Sequence, residues 1–200
     1  MTASAEYAED AIRRGDGERM RARLKEIIRA RSFSEGETRR LASGRASAFY
    51  FNMKRTLSQP EGLYLVAELM LREIRKEKCD VIGGLEMGAV PILNSVAMLS
   101  FQKGAPIALF WIRKKAKEHG TRELIEGEDA AALAGKTAIM LEDVTTTGGS
   151  VLKAIGQARE NAMTISTVIT IVDRMEGASE NLAAHGVALK ALFTADDFRS

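Results

Sequence analysis

Residues 142–150 read EDVTTTGGS, two adjacent carboxylates followed by three threonines, two glycines and a serine. An apolar run, KTAIML, leads directly into them. Hydroxyls and successive backbone N–H groups are the donors that enclose a phosphate, and a following helix N-terminus adds favourable dipole. Glycines let the backbone turn tightly and come close to a ligand. The carboxylates repel phosphate, so Glu142 and Asp143 must face something hydroxylated or cationic on the same ligand. A ribose 5-phosphate meets both demands. Its phosphate would lie among Thr145, Thr146, Thr147, Gly148, Gly149 and Ser150, with its hydroxyls on Glu142 and Asp143. A lone Gly-Gly pair is usually a plain strand-to-helix turn; the full string is more specific. It is not a Walker-type loop, because the lysine of G-x-x-x-x-G-K-[ST] is absent.

Such a loop needs a strand before it and a helix after it. KTAIML predicts the strand, and SVLKAIGQARENA an amphipathic helix beginning near Ser150 or Val151. CDVIGG, PIALFWI and ISTVITIV predict three more strands, alternating with helices, one of which starts near Pro91. This alternation argues for an α/β fold, a central mostly parallel sheet flanked by helices. Ligands bind such sheets outside the carboxyl ends of the strands. A second turn, Gly83, Gly84 and the backbone through Gly88, suits pyrophosphate oxygens. Upstream, Met20, Leu24, Ile27 and Ile28 fall on one face of a helix. A polar, turn-rich stretch follows, in which SAFYFN has strand character. Ser58 is the expected N-cap of a long helix with Pro60 in its first turn, and the Met-rich face of that helix reads as core. The charged segment RKKAKEHGTRELIEG is too long for a tight turn and too polar for core, which suits a mobile flap at 113–127.

At 200 residues the chain fits a single domain. A net charge of +2 argues against nucleic acid or membrane as the main partner. The single Cys79 has no internal disulfide partner, which fits a reducing cytoplasm, and reads as a small buried residue. The N-terminal MTASAEYAEDAIRR, with early acids and no continuous apolar core, reads unlike a signal peptide, and the longest apolar stretch is too short to span a bilayer.

The string AIMLEDVTTTGGS resembles the phosphoribosyl-diphosphate signature of type I phosphoribosyltransferases, which implies 5-phospho-α-D-ribosyl 1-diphosphate (PRPP) as substrate. Three further segments resemble the orotate phosphoribosyltransferase family. RKKAKEHG matches its catalytic loop at Arg113, Lys114, Lys117, His119 and Gly120. SGRASAFYFN matches the segment lying against the orotate ring. TIVDRMEG matches the segment whose arginine meets the orotate carboxylate. The resemblance covers most of the chain from about Ser43 onward.

It implies a type I phosphoribosyltransferase-like core over 58–200 with the flap at 113–127, and an N-terminal hood over 1–57. The implied catalytic residues are Lys117, His119, Arg113 and Asp143. Glu142, Asp143, Thr145 to Ser150, Lys114, Gly83, Gly84 and Met87 would bind PRPP. Tyr50, Phe51, Thr146 and Arg174 would bind orotate. Mg²⁺ would be held mainly by PRPP, with no direct protein ligand, and a homodimer would share the flap across subunits. Two departures stand out. Many members carry lysine where this chain has Ala42 and Met87; Lys54 is the candidate replacement. A purine-base phosphoribosyltransferase and a non-catalytic PRPP sensor are the alternative readings.

Overall fold

The computed structural model describes residues 16–40, 46–114 and 124–199. Helix α1 (Gly17–Arg31) starts at Asp16, whose side chain accepts from Arg19 N–H at 3.1 Å. It buries Met20, Leu24, Ile27 and Ile28, the four positions its period selects. Strands β1 (Phe33–Arg40) and β2 (Ala46–Phe51) then form a separate two-stranded antiparallel sheet. β1 was expected as polar turn. Its strand comes from pairing with β2, and Phe33, which pairs with Phe51, packs its ring against Phe51 and Phe198.

A short helix, α2 (Lys54–Leu57), precedes the long α3 (Pro60–Ile74). The expected cap at Ser58 is displaced by one residue. Ser58 closes α2, donating its N–H to Lys54 O, so Gln59 caps α3 by accepting from Gly62 N–H. The face of α3 bearing Leu65, Val66, Met70 and Leu71 is buried, as its composition suggests.

The main sheet has six strands in the order β5-β4-β3-β6-β7-β8. They are β3 (Val81–Gly84), β4 (Ala108–Ile112), β5 (Ile125–Gly127), β6 (Thr137–Thr145), β7 (Thr164–Asp173) and β8 (Ala188–Thr194). All neighbours are parallel except β4 and β5. The short β5 and the edge strand β8 lack the continuous apolar run that marks the inner strands. Helices α4 (Ala89–Gln102), α5 (Ala130–Leu133), α6 (Gly149–Glu160) and α7 (Ala178–Ala183) complete the core.

Alternation along β6 serves two cores. Ile139 and Leu141 pack with α1, α3 and α4, while Ala138 and Met140 pack with α6 and α7. Cys79 donates its thiol to Val81 O at 3.3 Å, and burial pushes its pKa up to about 11, leaving it inert at neutral pH. No helix among the described residues is long and apolar enough to cross a membrane.

Two adjacent strands send the chain in opposite directions. β3 leads through α4 to β4, while β6 leads through α6 to β7 on the other side. The crevice between the carboxyl ends of β3 and β6 is therefore the ligand position for an open sheet.

Candidate active site

Both Gly-containing segments singled out in the sequence flank that crevice. Register places Gly84 opposite Leu141, one residue before the acid pair. Strand β6 runs further than expected, through Glu142 and Asp143 to Thr145. Glu142 is buried, and Asp143 is half-buried. The Asp143 N–H donates to Glu142 Oε1 at 3.3 Å, and Val144 N–H donates to Asp143 Oδ1 at 2.9 Å. Burial, reinforced by the charge of Asp143 and a hydrogen bond to it, raises the Glu142 carboxyl well above the usual carboxylate range. The Lys114 ammonium acts in the opposite direction, which brings the base of the flap within electrostatic reach of the acid pair.

Thr145 belongs to the strand rather than to the loop. It is 2 % exposed, and its Oγ1 has no hydrogen-bond partner among the described residues. The loop proper is Thr146 to Gly148, and α6 starts at Gly149, one residue earlier than its periodicity suggested. Gly148 takes φ of +77°, the left-handed conformation that glycine adopts without penalty. Asn181 of α7 pins the loop, its Nδ2 donating to Thr147 O at 2.7 Å. The sequence reading missed Asn181, since nothing local connects it to a loop 34 residues away.

The second turn needs a correction. Gly83 and Gly84 are buried in β3, so they do not line the turn. A Cβ at Gly83 would fall 2.1 Å from the Phe110 ring, so this glycine admits an aromatic side chain from β4. The turn itself is Leu85 to Gly88, with Met87 64 % exposed and a cis peptide between Glu86 and Met87. Glu86 ties the turn to the flap base: its N–H donates to Ile112 O at 2.9 Å, and its Oε1 accepts from Lys114 N–H at 2.9 Å. Glu86 carried no sequence signal. Arg113 donates its N–H to Leu124 O, and its guanidinium lies 3.7 Å from Glu126 on the returning strand. Lys117 and His119 lie outside the described residues, as do Ala42 and Gly120.

On the other side of the crevice, Arg174 N–H donates to Thr145 O at 2.9 Å, which fixes the arginine beside the acid-bearing strand. Its side chain is buried, with Nη2 donating to Phe49 O at 3.3 Å and pairing with Glu176 Oε1 at 2.9 Å. The guanidinium carbon lies 4.5 Å from the Phe49 ring centroid. The expectation for Phe51 is corrected here. Phe51 is 5 % exposed, with its ring 5.1 Å from Phe33 and 5.3 Å from Phe198, so its side chain is core. Tyr50 is half-buried, and Phe49 is the aromatic that meets Arg174. Lys54 is exposed at the first turn of α2. No group of three or more metal-ligating side chains occurs among the described residues.

Comparison with known proteins identifies the family. The phosphoribosyl transferase domain family matches residues 53–187. The orotate phosphoribosyltransferase of Bradyrhizobium sp. (strain BTAi1) is 54 % identical over 179 residues, 89 % of this chain and 96 % of that one. The chain belongs to the orotate phosphoribosyltransferase family. The same enzyme from Rhodopseudomonas palustris (strain TIE-1) is 52 % identical over 89 % of this chain and 95 % of its own. Among solved structures, Mycobacterium tuberculosis orotate phosphoribosyltransferase in complex with Fe(III) dicitrate aligns with a TM-score of 0.77 and 31 % identity, covering 90 % of this chain and 99 % of that one. Its complex with PRPP aligns with a TM-score of 0.72 and 29 % identity, over 90 % and 98 %. Orotate phosphoribosyltransferases are thus similar to this chain in sequence and in fold.

Proposed function

We propose that this chain carries out its family's reaction, transfer of the 5-phosphoribosyl group from PRPP to orotate, giving orotidine 5′-monophosphate and pyrophosphate in pyrimidine synthesis. The C1–O bond to pyrophosphate breaks, a bond from C1 to N1 of orotate forms, and the N1 proton leaves to the departing pyrophosphate or to water. Departure of pyrophosphate leaves C1 electron-poor before N1 bonds fully, so positioning and electrostatics carry more of the work than a general base. The observation that carries this reading is the Glu142–Asp143 pair at the sheet's switch point, facing the Leu85–Gly88 turn.

Glu142 and Asp143 grip the ribose hydroxyls, on the side where positive charge grows at C1. Thr146, Thr147, Gly149 and Ser150 hold the 5-phosphate through backbone N–H groups and hydroxyls. The turn ending at Gly88 takes the pyrophosphate through its backbone, and the flap's Lys114, Lys117 and His119 neutralise it as it leaves. Arg113, paired with Glu126, orients the flap's base. Arg174 reads the orotate carboxylate and Tyr50 faces the ring. Lys54 is the candidate for charge that Ala42 and Met87 do not supply.

Mg²⁺ fits this site as a substrate-borne ion. The buried Glu142, whose charge burial and Asp143 disfavour, gains from a nearby cation. When bound it would offset the charge of pyrophosphate. Met98 and Phe101, 60 % and 74 % exposed on one side of α4, support a homodimer face. A reducing cytoplasm suits the lone Cys79.

The test is loss of orotate ultraviolet absorbance with PRPP and Mg²⁺, with adenine and hypoxanthine in parallel. Orotate loss that requires both PRPP and Mg²⁺ is expected. Consumption of a purine instead would overturn the base assignments, and PRPP binding without turnover would favour a sensor.

A further inference from the structure

Thr147 stands in the loop between β6 and α6, and its carbonyl is directed at α7, where Asn181 Nδ2 donates to it at 2.7 Å. The Thr147 carbonyl and the Gly148 N–H belong to one trans peptide unit, so they point in opposite directions. Fixing the carbonyl on Asn181 therefore turns the Gly148 N–H away from α7. The α7 side of the loop is filled: a Cβ on Gly148 would lie 3.5 Å from Leu182 Cγ and 3.6 Å from Ala178 Cβ. A ligand reaches the loop from the other side, the side that this N–H faces. Gly148, at φ of +77°, tolerates positive and negative φ alike and permits either orientation of the peptide unit before it. The tie to Asn181 decides between them. In the reversed orientation the carbonyl oxygen, the negative end of the peptide dipole, would face the ligand.

Asn181 is mounted on a fixed support. Leu182 beside it is buried in the core shared with α6. Arg159 of α6 donates to His185 O from both Nη1 and Nη2 at 3.3 Å, and His185 Nδ1 donates to Asn181 O at 2.8 Å. The amide is thus in place before any ligand arrives.

We propose that Asn181 is a positioning residue for the 5-phosphate. By holding the Thr147 carbonyl outward, it keeps the Gly148 N–H available to the phosphate oxygens and the carbonyl dipole off them. This rests on the reading of the loop as the 5-phosphate cradle. The effect is specific to the phosphate: a ligand with ribose and base but no phosphate gains nothing from Asn181.

The experiment compares the wild type with Asn181→Leu, which keeps the size and lacks the donor, and Asn181→Ala, with melting temperatures to establish folding. Titration calorimetry measures binding of orotidine 5′-monophosphate and of orotidine, with steady-state kinetics in parallel. Both variants are expected to weaken binding of the monophosphate and raise the KM for PRPP about fivefold, the scale of one hydrogen bond. Orotidine binding, and kcat at saturating PRPP, should stay within about twofold of wild type. A merely structural role would weaken both ligands alike. Monophosphate binding within about twofold of wild type in both variants, or orotidine binding weakened as much as that of the monophosphate, overturns the positioning role and leaves the phosphate reading intact. If the wild type binds the two ligands equally, the phosphate cradle itself falls, and the positioning role with it.

Discussion

Gly88 and Asp143 approach so closely that a Cβ on the glycine would lie 2.6 Å from Asp143 Oδ1. The turn after β3 and the acid pair on β6 are thus built as one surface, with hydrogen in place of a side chain where they meet. Gly83 is also closed to a side chain, but there the obstacle is the Phe110 ring in the core. The two glycines separate function from folding. Gly88→Ala is expected to displace the Asp143 carboxylate, lowering kcat/KM for PRPP at least about a hundredfold with little change in Tm. Gly83→Ala overpacks the sheet and is expected to lower Tm by roughly 5 °C or more. Thermal melts and initial rates on both variants check the pair of outcomes.

Asp143→Asn keeps the shape and removes the charge. If this carboxylate grips the ribose, PRPP binding and turnover fall together. Titration calorimetry with PRPP and Mg²⁺, alongside initial rates, tests this, and unchanged values in both would refute the role.

Glu142 gives a pH signature. Its carboxyl holds a proton more tightly when folded than unfolded, because burial and then Asp143 disfavour its charge. Between its ordinary value of 4.5 and its raised folded value, the native chain binds more protons than the unfolded one, so stability falls as pH rises. Without ligand, the Tm of the wild type should therefore decline across that window more steeply than that of Glu142→Gln. The variant should be at least as stable at neutral pH yet bind PRPP more weakly. Calorimetric scans from pH 4.5 upward test both halves.

Lys117→Ala is expected to lower kcat by about two to three orders of magnitude, the scale of one preorganised contact to developing charge. A fall below about tenfold would remove Lys117 from catalysis. Lys54→Ala, assayed at varied PRPP, separates the proposed replacement cation from an ordinary surface lysine: unchanged turnover and PRPP affinity would end that proposal.

What could be read from the sequence followed from strong local pattern. The inner strands are strongly apolar, β7 being interrupted only by Ser166 and threonines. The acid pair stands out because a buried strand rarely ends on two carboxylates. α1 showed its core through spacing alone. What escaped reading depends on partners distant in the chain. β1 is polar and becomes a strand through β2. Strand alternation shows that Phe49 and Phe51 share a face, but only packing against Phe33 and Phe198 commits Phe51 to the core. Gly83 looked like part of a ligand turn because glycine signals close approach of any kind, and here the neighbour is Phe110. Glu86, Glu176 and Asn181 act through individual side-chain contacts, which composition and period do not register.

The rings of Phe33 and Phe51 in the two-stranded sheet close upon Phe198, and Phe198 in turn upon Phe193 of β8. About 150 residues separate Phe51 from Phe198. A chain emerging from the ribosome has therefore laid down nearly the whole six-stranded sheet, acid pair included, before the β1–β2 sheet carrying Tyr50 finds its lasting support. Order of synthesis then imposes an order of assembly, with the main sheet first and the two-stranded sheet over it last.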